Sequence, residues 1–457
     1  MVKIAYIGAG SLQFGPLMVQ DILLSDILAK NELEIHLMDI NEPYLEQTVA
    51  HAEYVCKKLN HSAKIIGTTD RDAAIKGADF VLCAVEKERN VYWSQDFHIP
   101  RKYGFKQVYA ENGGLGSMFH TLRNVNIMMD LARAMEQLCP DALLLNFSNP
   151  EHKICEVITR LTSIKTVGLC HGVLFGRDQL SEMLEIPLNN LQTKACGINH
   201  FTWFQEIKNK STGEDLYPKL RETELKGDWL AKWHDLALGR ILLRRYGQWP
   251  SPGSNHYGEY LRWAEEFVCP QLNFFYDPYE GHPWEKNEIP EGVYTSDRVN
   301  YDRPWIKDTS KRLLPMGETE DMIWEDEEGC LKVTREIGTL IMESVIGNER
   351  QWLESVNVPN KGYIPNLPDD LVVELPAYCD ASGIHPISME PIPEGIAATI
   401  RLHASIHKLL TEAYNEQSKD KLLQAILIEP NVNSYRNAVD MLNEMLVLQK
   451  EVLPPLS

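Results

Sequence analysis

The sequence predicts an α/β protein: a doubly wound parallel sheet over about residues 1–195, then an α+β, mostly helical domain over residues 196–457. Through residue 170, short apolar runs alternate with longer amphipathic stretches. Two of the runs, residues 80–85 (FVLCAV) and 142–147 (ALLLNF), are almost entirely apolar, which is typical of strands covered by helices on both faces. A glycine-containing turn follows the first run. These three observations together favour a parallel, helix-covered sheet.

The individual elements follow from the spacing of apolar residues. The predicted strands are residues 3–7, 33–38, 63–66, 80–85, 142–147 and 167–169. The predicted helices are residues 17–28, 43–59, 70–75 and 125–137, with one more before the last strand. Polar and aromatic residues dominate from 205 to 330, and helical patterns dominate from about 330 to 450, with a loop around residues 357–368.

Composition excludes several classes of function. The chain has 457 residues, with 45 Lys and Arg against 65 Asp and Glu, so its net charge is −20. Such an acidic surface disfavours nucleic acid and anionic membranes as partners. No apolar stretch reaches the roughly 18 residues that a membrane span needs, and the apolar run before Gly8 is too short for a signal peptide. Nine scattered cysteines without a CxxC pair fit reduced thiols, so we expect a cytoplasmic protein.

The turn after the first strand reads Gly8-Ala9-Gly10-Ser11 and has the features of a dinucleotide site. Glycines allow a tight turn and close approach of a pyrophosphate, which the following helix N-terminus attracts. The third glycine of the usual pattern is replaced by Gln13. Asp39, at the end of the second strand, could accept both ribose hydroxyls of NAD and would repel a 2′-phosphate; the alternative is a solvated carboxylate. We therefore predict a Rossmann-like domain that prefers NAD to NADP.

Three further segments place polar side chains at strand ends: residues 146–150 (NFSNP), 168–173 (GLCHGV) and 197–200 (GINH). Ligands of such sheets bind beyond the carboxyl ends of the strands, so the three segments could face one crevice. Cys170 and His200 offer donors for a divalent transition metal. The alternative is a buried thiol and a hydrogen-bonded histidine.

In combination, these motifs resemble glycoside hydrolase family 4. The resemblance rests on Gly8-x-Gly10-Ser11, Asn149-Pro150, Cys170-His171-Gly172-Val173 and Gly197-Ile198-Asn199-His200, and it extends to Asn366-Leu367-Pro368 and Val373-Glu374. It implies NAD and a divalent metal, usually manganese, as cofactors. It also implies a redox mechanism: oxidation at C3 of the sugar, deprotonation at C2, elimination of the C1 oxygen, addition of water and re-reduction.

The resemblance also implies roles for single residues. Cys170 and His200 would be the metal ligands, His171 the acid that assists the leaving group, and Asn149 a contact to substrate hydroxyls. Residues 1–195 would bind NAD, and residues 196–457 would serve substrate, metal and oligomerisation. Relatives are commonly dimers or tetramers, so we expect a homo-oligomer.

Two segments depart from the family pattern. The C2 base usually comes from a Tyr or Asp in the loop that corresponds to residues 252–260, which lacks Asp here; Tyr257 is the first candidate and His256 the second. In the loop at residues 111–117, Leu115 replaces the usual proline, and His120 falls near a basic position. We expect Glu111 and His120 to lie near the nicotinamide and the substrate.

The predicted substrate is a small carbohydrate, an unphosphorylated α-hexoside. In the family that the chain resembles, the pair His171-Gly172 is associated with α-glucuronides, so the resemblance places an α-glucuronide or α-galacturonide slightly ahead of an α-galactoside or α-glucoside. Arg123 or Arg262 could meet the carboxylate. Two other classes stay open: an NAD-dependent 2-hydroxy acid dehydrogenase and a non-catalytic NAD-binding sensor.

Overall fold

A computed structural model describes residues 1–11, 14–226, 236–264, 329–334 and 336–457. Its centre is one mixed sheet of 12 strands. Six parallel strands form the first part, in the order β3-β2-β1-β4-β5-β6. They are β1 (Val2–Ile7), β2 (Leu33–Met38), β3 (Lys64–Thr68), β4 (Phe80–Cys83), β5 (Leu143–Asn146) and β6 (Lys165–Gly168). The order reverses between β1 and β4, as in a doubly wound sheet.

Helices connect these strands and cover both faces of the sheet. They are α1 (Gly15–Leu24), α2 (Glu42–Leu59), α3 (Arg71–Ile75), α4 (Arg89–Lys102), α5 (Gly116–Leu138), α6 (Glu151–Leu161) and α7 (Gly172–Leu184). Alternate residues of β1 enter different hydrophobic cores: Ile4 and Tyr6 lie in one, Ala5 and Ile7 in the other. The predicted doubly wound, Rossmann-like fold is confirmed.

Several predicted boundaries in this part were wrong. The first helix ends at Leu24 rather than residue 28, and a short 3-10 turn over Leu28–Lys30 follows. The long helix α5 begins at Gly116, not at residue 125. Its first turns are buried all round and include polar residues such as His120 and Arg123, so no apolar stripe marks them.

The second half extends the same sheet with antiparallel strands. They are β7 (Leu191–Ile198), β8 (Phe201–Asn209), β9 (Trp249–Ser251), β10 (Gln351–Pro359), β11 (Val372–Asp380) and β12 (Gly383–Pro386). The order continues β6-β10-β11-β7-β8-β9, and β12 pairs with β11. The predicted loop at residues 357–368 was thus partly wrong, since β10 runs to Pro359. One sheet crosses residue 195, and the division into two domains there stays a prediction.

The remaining described helices are α8 (Tyr217–Lys226), α9 (Ala237–Tyr246), α10 (Ser254–Gly258), α11 (Ile337–Gly347), α12 (Glu394–Glu416), α13 (Lys419–Ile428) and α14 (Tyr435–Leu448). Of these, α13 and α14 pack on α12 and α4, and the others lie closer to the sheet. Within the described ranges, no helix is both long enough and apolar enough to cross a bilayer.

A buried polar layer separates α6 from α12. His152, Lys153 and Glu156 of α6 face His403 and His407 of α12, and all five are almost fully buried. The rings of His152 and His407 lie 4.8 Å apart. Burial, with the nearby charges of Lys153 and Arg160, holds the pKa of His407 well below its usual range. The folded protein therefore keeps this imidazole neutral.

We predict that His407→Gln changes how stability depends on pH. The unfolded chain binds a proton at His407 below about pH 6.5, but the folded chain does not, so the histidine costs stability as the pH falls. From pH 6.5 to 5.0 the wild type should lose about 1.7 kcal/mol relative to the variant. Urea unfolding at several pH values measures this difference, and parallel pH profiles for the two proteins would contradict it.

Candidate active site

The predicted site residues gather at the edge of the sheet where the parallel strands end. The turn at Gly8 follows β1, Asp39 follows β2, Asn149 follows β5, Cys170 follows β6, and His200 lies in the turn between β7 and β8. Carboxyl ends of parallel strands share one edge, so the sheet order itself assembles the site.

The turn after β1 has the close approach that a dinucleotide requires. Gly8 has a φ of +83°, and a Cβ there would lie 2.2 Å from the carbonyl oxygen of Ala84. The Gly10 N–H donates to Asp39 Oδ2 at 2.9 Å, and the Asn41 N–H donates to Oδ1 at 2.8 Å. Asp39 is thereby fixed beside the turn and, with several lone pairs to spare, can still accept ribose hydroxyls. Gln13 lies outside the described residues.

Four side chains form a compact group with the spacing of a metal site: Glu111, His200, His256 and Glu259. Their potential ligand atoms all lie within 4.8 Å of one another. The Nδ1 atoms of His200 and His256 are 3.1 Å apart. His200 Nδ1 lies 3.7 Å from Glu111 Oε2 and 4.0 Å from Glu259 Oε1. We call these four residues the His–Glu cluster.

Burial sets the protonation of this cluster. The pKa of His200 is held well below its usual range by burial and by His256 and Arg89, so its imidazole is neutral. Burial and the charge of Glu111 raise the pKa of Glu259, although the N–H groups of Asn112 and Gly113 donate to its Oε2 at 2.6 Å. Glu259 Oε1 is buried without a hydrogen-bond partner and faces His200. A neutral imidazole beside carboxylate oxygens suits a divalent cation.

Cys170 lies near this cluster but is not a member of it. Its half-buried Sγ accepts the Gly172 N–H at 3.3 Å, and its pKa is raised by burial and by Glu374. Asn199 hydrogen-bonds the thiol, and its Oδ1 accepts from Asn112 Nδ2 at 2.9 Å. Asn112 Nδ2 in turn lies 2.7 Å from His200 Nδ1. Two amides therefore connect the predicted ligands Cys170 and His200, whose shared metal stays a prediction.

The candidates for acid and base are placed differently from one another. His171 is exposed, its Nε2 contacts a carboxylate oxygen of Glu336, and its ring stacks on Phe14. His256 belongs to the His–Glu cluster. Tyr257 does not: it is buried in a hydrophobic core, with its hydroxyl 3.2 Å from Ser254 Oγ. The geometry therefore favours His256 over Tyr257 as the base.

The predicted substrate contacts Asn149 and His120 both adjoin Glu111. Asn149 Nδ2 donates to Glu111 Oε1 at 3.4 Å. His120 Nδ1 lies 2.9 Å from the Glu111 carbonyl oxygen. Arg123, in contrast, is fully buried in an ion pair with Asp96 at 2.9 Å, so it is not available for a substrate carboxylate. Arg262 is exposed.

Sequence reasoning missed three ionisable residues here: Glu86, Arg89 and Glu259. Arg89 donates to Glu86 Oε2 at 2.6 Å and to Glu111 Oε1 at 2.5 Å. Glu86 directly follows the strand predicted at residues 80–85, and this position beyond a strand end was the available signal. Glu259 lies in the loop at residues 252–260 that the sequence indicated, but its role was missed, because the Asn112 N–H that it accepts is 147 residues away in the chain.

Comparisons with known proteins point to one family of enzymes. Residues 3–186 match the model of the Family 4 glycosyl hydrolases, and residues 195–432 match their C-terminal domain. An α-glucosidase from Erwinia rhapontici is 30% identical over 98% of both chains, and an α-galactosidase from Bacillus subtilis is 29% identical over 99% of both. A 6-phospho-α-glucosidase crystallised with NAD and Mn²⁺ has a similar fold, with a TM-score of 0.75 at 22% identity over the whole of both chains.

We predict that Glu259→Gln weakens Mn²⁺ binding about 10- to 100-fold, the usual effect of losing a carboxylate that orients or binds a metal site. Titration followed by the electron paramagnetic resonance of free Mn²⁺ measures the affinity without catalysis. Glu222→Gln, at an exposed pair with Lys226, is the matched control and should bind as the wild type does. An unchanged affinity in Glu259→Gln would contradict a cation at this cluster. Cys170→Ser in the same titration tests the predicted thiolate ligand.

Proposed function

The chain belongs to family 4 of the glycosyl hydrolases and is a glycosidase. From this premise, we propose that it cleaves an unphosphorylated α-hexoside and uses NAD and a divalent metal, for which Mn²⁺ is the first candidate. The observation that carries the proposal is the position of the His–Glu cluster and the glycine turn at one edge of the sheet. When bound, NAD supplies reversible hydride acceptance, and the metal supplies Lewis-acid stabilisation of charge on sugar oxygens.

The residues present fit both groups. The turn at Gly8 and Gly10 leaves no space for side chains, and Asp39 offers carboxylate oxygens beside it. These residues would hold NAD. Cys170 and His200 would hold the metal, as the family resemblance implies, next to the unpartnered oxygen of Glu259. This donor set suits a divalent transition ion.

The remaining residues would position the sugar and move protons. Asn149 would contact sugar hydroxyls. We assign the base to His256, whose Nδ1 lies among the cluster atoms and can accept a proton from a sugar carbon. His171 would donate a proton to the leaving oxygen, with Glu336 orienting its imidazole. These assignments separate the base, inside the cluster, from the acid, at the exposed start of α7.

The substrate class rests on the relatives and on the motif after Cys170. The two relatives at about 30% identity are named for an α-glucoside and an α-galactoside. His171-Gly172 favours a uronide instead. Both alternatives share an unphosphorylated α-linked hexose or its uronic acid form.

A direct test is hydrolysis of nitrophenyl α-galactoside, α-glucoside and α-glucuronide with NAD, Mn²⁺ and a thiol reductant. We expect cleavage of at least one substrate, loss of the activity on chelation, and no net NADH. Stoichiometric NADH formation from a 2-hydroxy acid would instead support a dehydrogenase. Binding of NAD and metal without cleavage of any glycoside would instead support a non-catalytic NAD-binding sensor.

We also predict that Asp39→Ala weakens NAD binding about 10- to 100-fold while improving the relative binding of NADP. The carboxylate makes charged hydrogen bonds of roughly 1.5–3 kcal/mol and repels a 2′-phosphate. Isothermal titration with both dinucleotides measures the change. Asp26→Ala, an aspartate in the turn after α1, is a control. Equal losses for NAD and NADP would show that Asp39 does not contact the ribose.

A further inference from the structure

We propose that this site selects a neutral hexoside over a uronide, and that Glu86 is the residue that determines this choice by keeping Arg89 neutralised. The inference rests on the proposed function and names its substrate class. It reverses the preference for a uronide that the His171-Gly172 motif suggested.

Arg89 lies where it can face a bound sugar. It is the first residue of α4, just beyond the carboxyl end of β4, and 38% of its side chain is exposed. Its guanidinium lies 4.1 Å over the ring of Trp93, and its charge acts on His200 of the cluster. A cation at this place would be the natural partner for a C6 carboxylate.

Two carboxylates already occupy this guanidinium. NH1 donates to Glu86 and NH2 to Glu111, so its two terminal nitrogens are directed at protein oxygens. Burial alone would raise the pKa of Glu86, but His120 and Arg89 hold it well below its usual range, so Glu86 is ionised. His120 Nε2 lies 2.8 Å from the second oxygen of Glu86. Glu86 is therefore held firmly against Arg89.

The other cationic side chains near these carboxylates already have protein partners as well. Arg123 pairs with Asp96 in the interior. Lys153 is buried and donates to Ser117 Oγ at 2.9 Å. Both side chains are thus enclosed by the protein, and neither offers an exposed cation to a ligand.

This balance discriminates between ligands by charge. Hydroxyl groups both donate and accept, so a neutral sugar can bind a guanidinium and its carboxylates together. A uronate would meet Glu86 and Glu111 without an unoccupied guanidinium to bind, and like charges at a binding site act as a repulsive element. Glu86 thus determines specificity without needing to contact the reacting atoms.

The test compares the binding of paired sugars to the protein loaded with NAD and Mn²⁺. Galactose is paired with galacturonate and glucose with glucuronate, and calorimetry gives the affinity ratio without turnover. We expect the wild type to prefer the neutral member of at least one pair by 10-fold or more. Glu86→Gln keeps hydrogen-bonding atoms near Arg89 but removes the charge, and should move that ratio toward the uronate about 10-fold.

Two further variants test whether the change in the affinity ratio depends on Arg89. In the double variant Glu86→Gln/Arg89→Met, the relative gain in uronate affinity should disappear, because the guanidinium that Glu86→Gln releases is no longer present. As a control, Glu34→Gln should leave the affinity ratio unchanged, because the Glu34 carboxylate pairs with His36 and Lys64 at the far edge of the sheet. If Glu86→Gln fails to fold, Arg89→Met alone should weaken the neutral sugar and leave the uronate as weak as before.

Several results would overturn the inference. They are a wild type that binds the uronate as tightly as the neutral sugar, a Glu86→Gln variant with an unchanged ratio, or no binding of any of the four sugars. Failure of the hydrolysis assay with the predicted ratio intact would count against the proposed chemistry and not against the charge balance. The two claims can therefore fail separately.

Discussion

The site depends on ionisable groups being held out of water at one edge of the sheet. Glu111, His200 and Glu259 are each at most 4% exposed, and the carboxylates lie within about 4 Å of the His200 ring nitrogen. Such groups are costly to bury unless they are neutral, paired or bound to a cation. Backbone N–H groups satisfy one oxygen of Glu259 and leave the other facing the imidazole. The fold therefore maintains a place where a positive charge is favourable.

The sheet order makes this concentration possible. The parallel strands bring the glycine turn, Asp39 and Cys170 to one edge, and the β7–β8 turn adds His200 with a φ of +66°. For a residue other than glycine, that backbone conformation is uncommon and needs support from its surroundings. Asn112 and Asn199 provide that support through the amide chain that connects His200 with Cys170. The same sheet therefore fixes the positions of the glycine turn at Gly8 and of the His–Glu cluster.

Local sequence motifs allowed part of the candidate site to be predicted. The turn at Gly8 and the carboxylate at Asp39 follow from short-range spacing, and the structure brings them together through a direct hydrogen bond. Glu86 and Arg89 have no motif, and their importance arises from partners on other elements, such as Glu111. Strands β10 and β11 were missed for a similar reason. Nothing near residues 351–380 indicates that they pair with strands formed almost 200 residues earlier.

The insertion of β10 next to β6 has a consequence for biosynthesis. Asn357 and Gly168, which pair across this junction, are 189 residues apart in the chain. While a ribosome makes the protein from its N-terminus, the hydrogen-bonding edge of β6 has no native partner until that distant segment emerges. Such an edge can pair with other extended chains, and contacts of this separation form slowly. A chain truncated before β10 would keep that edge of β6 exposed and would therefore be prone to aggregate.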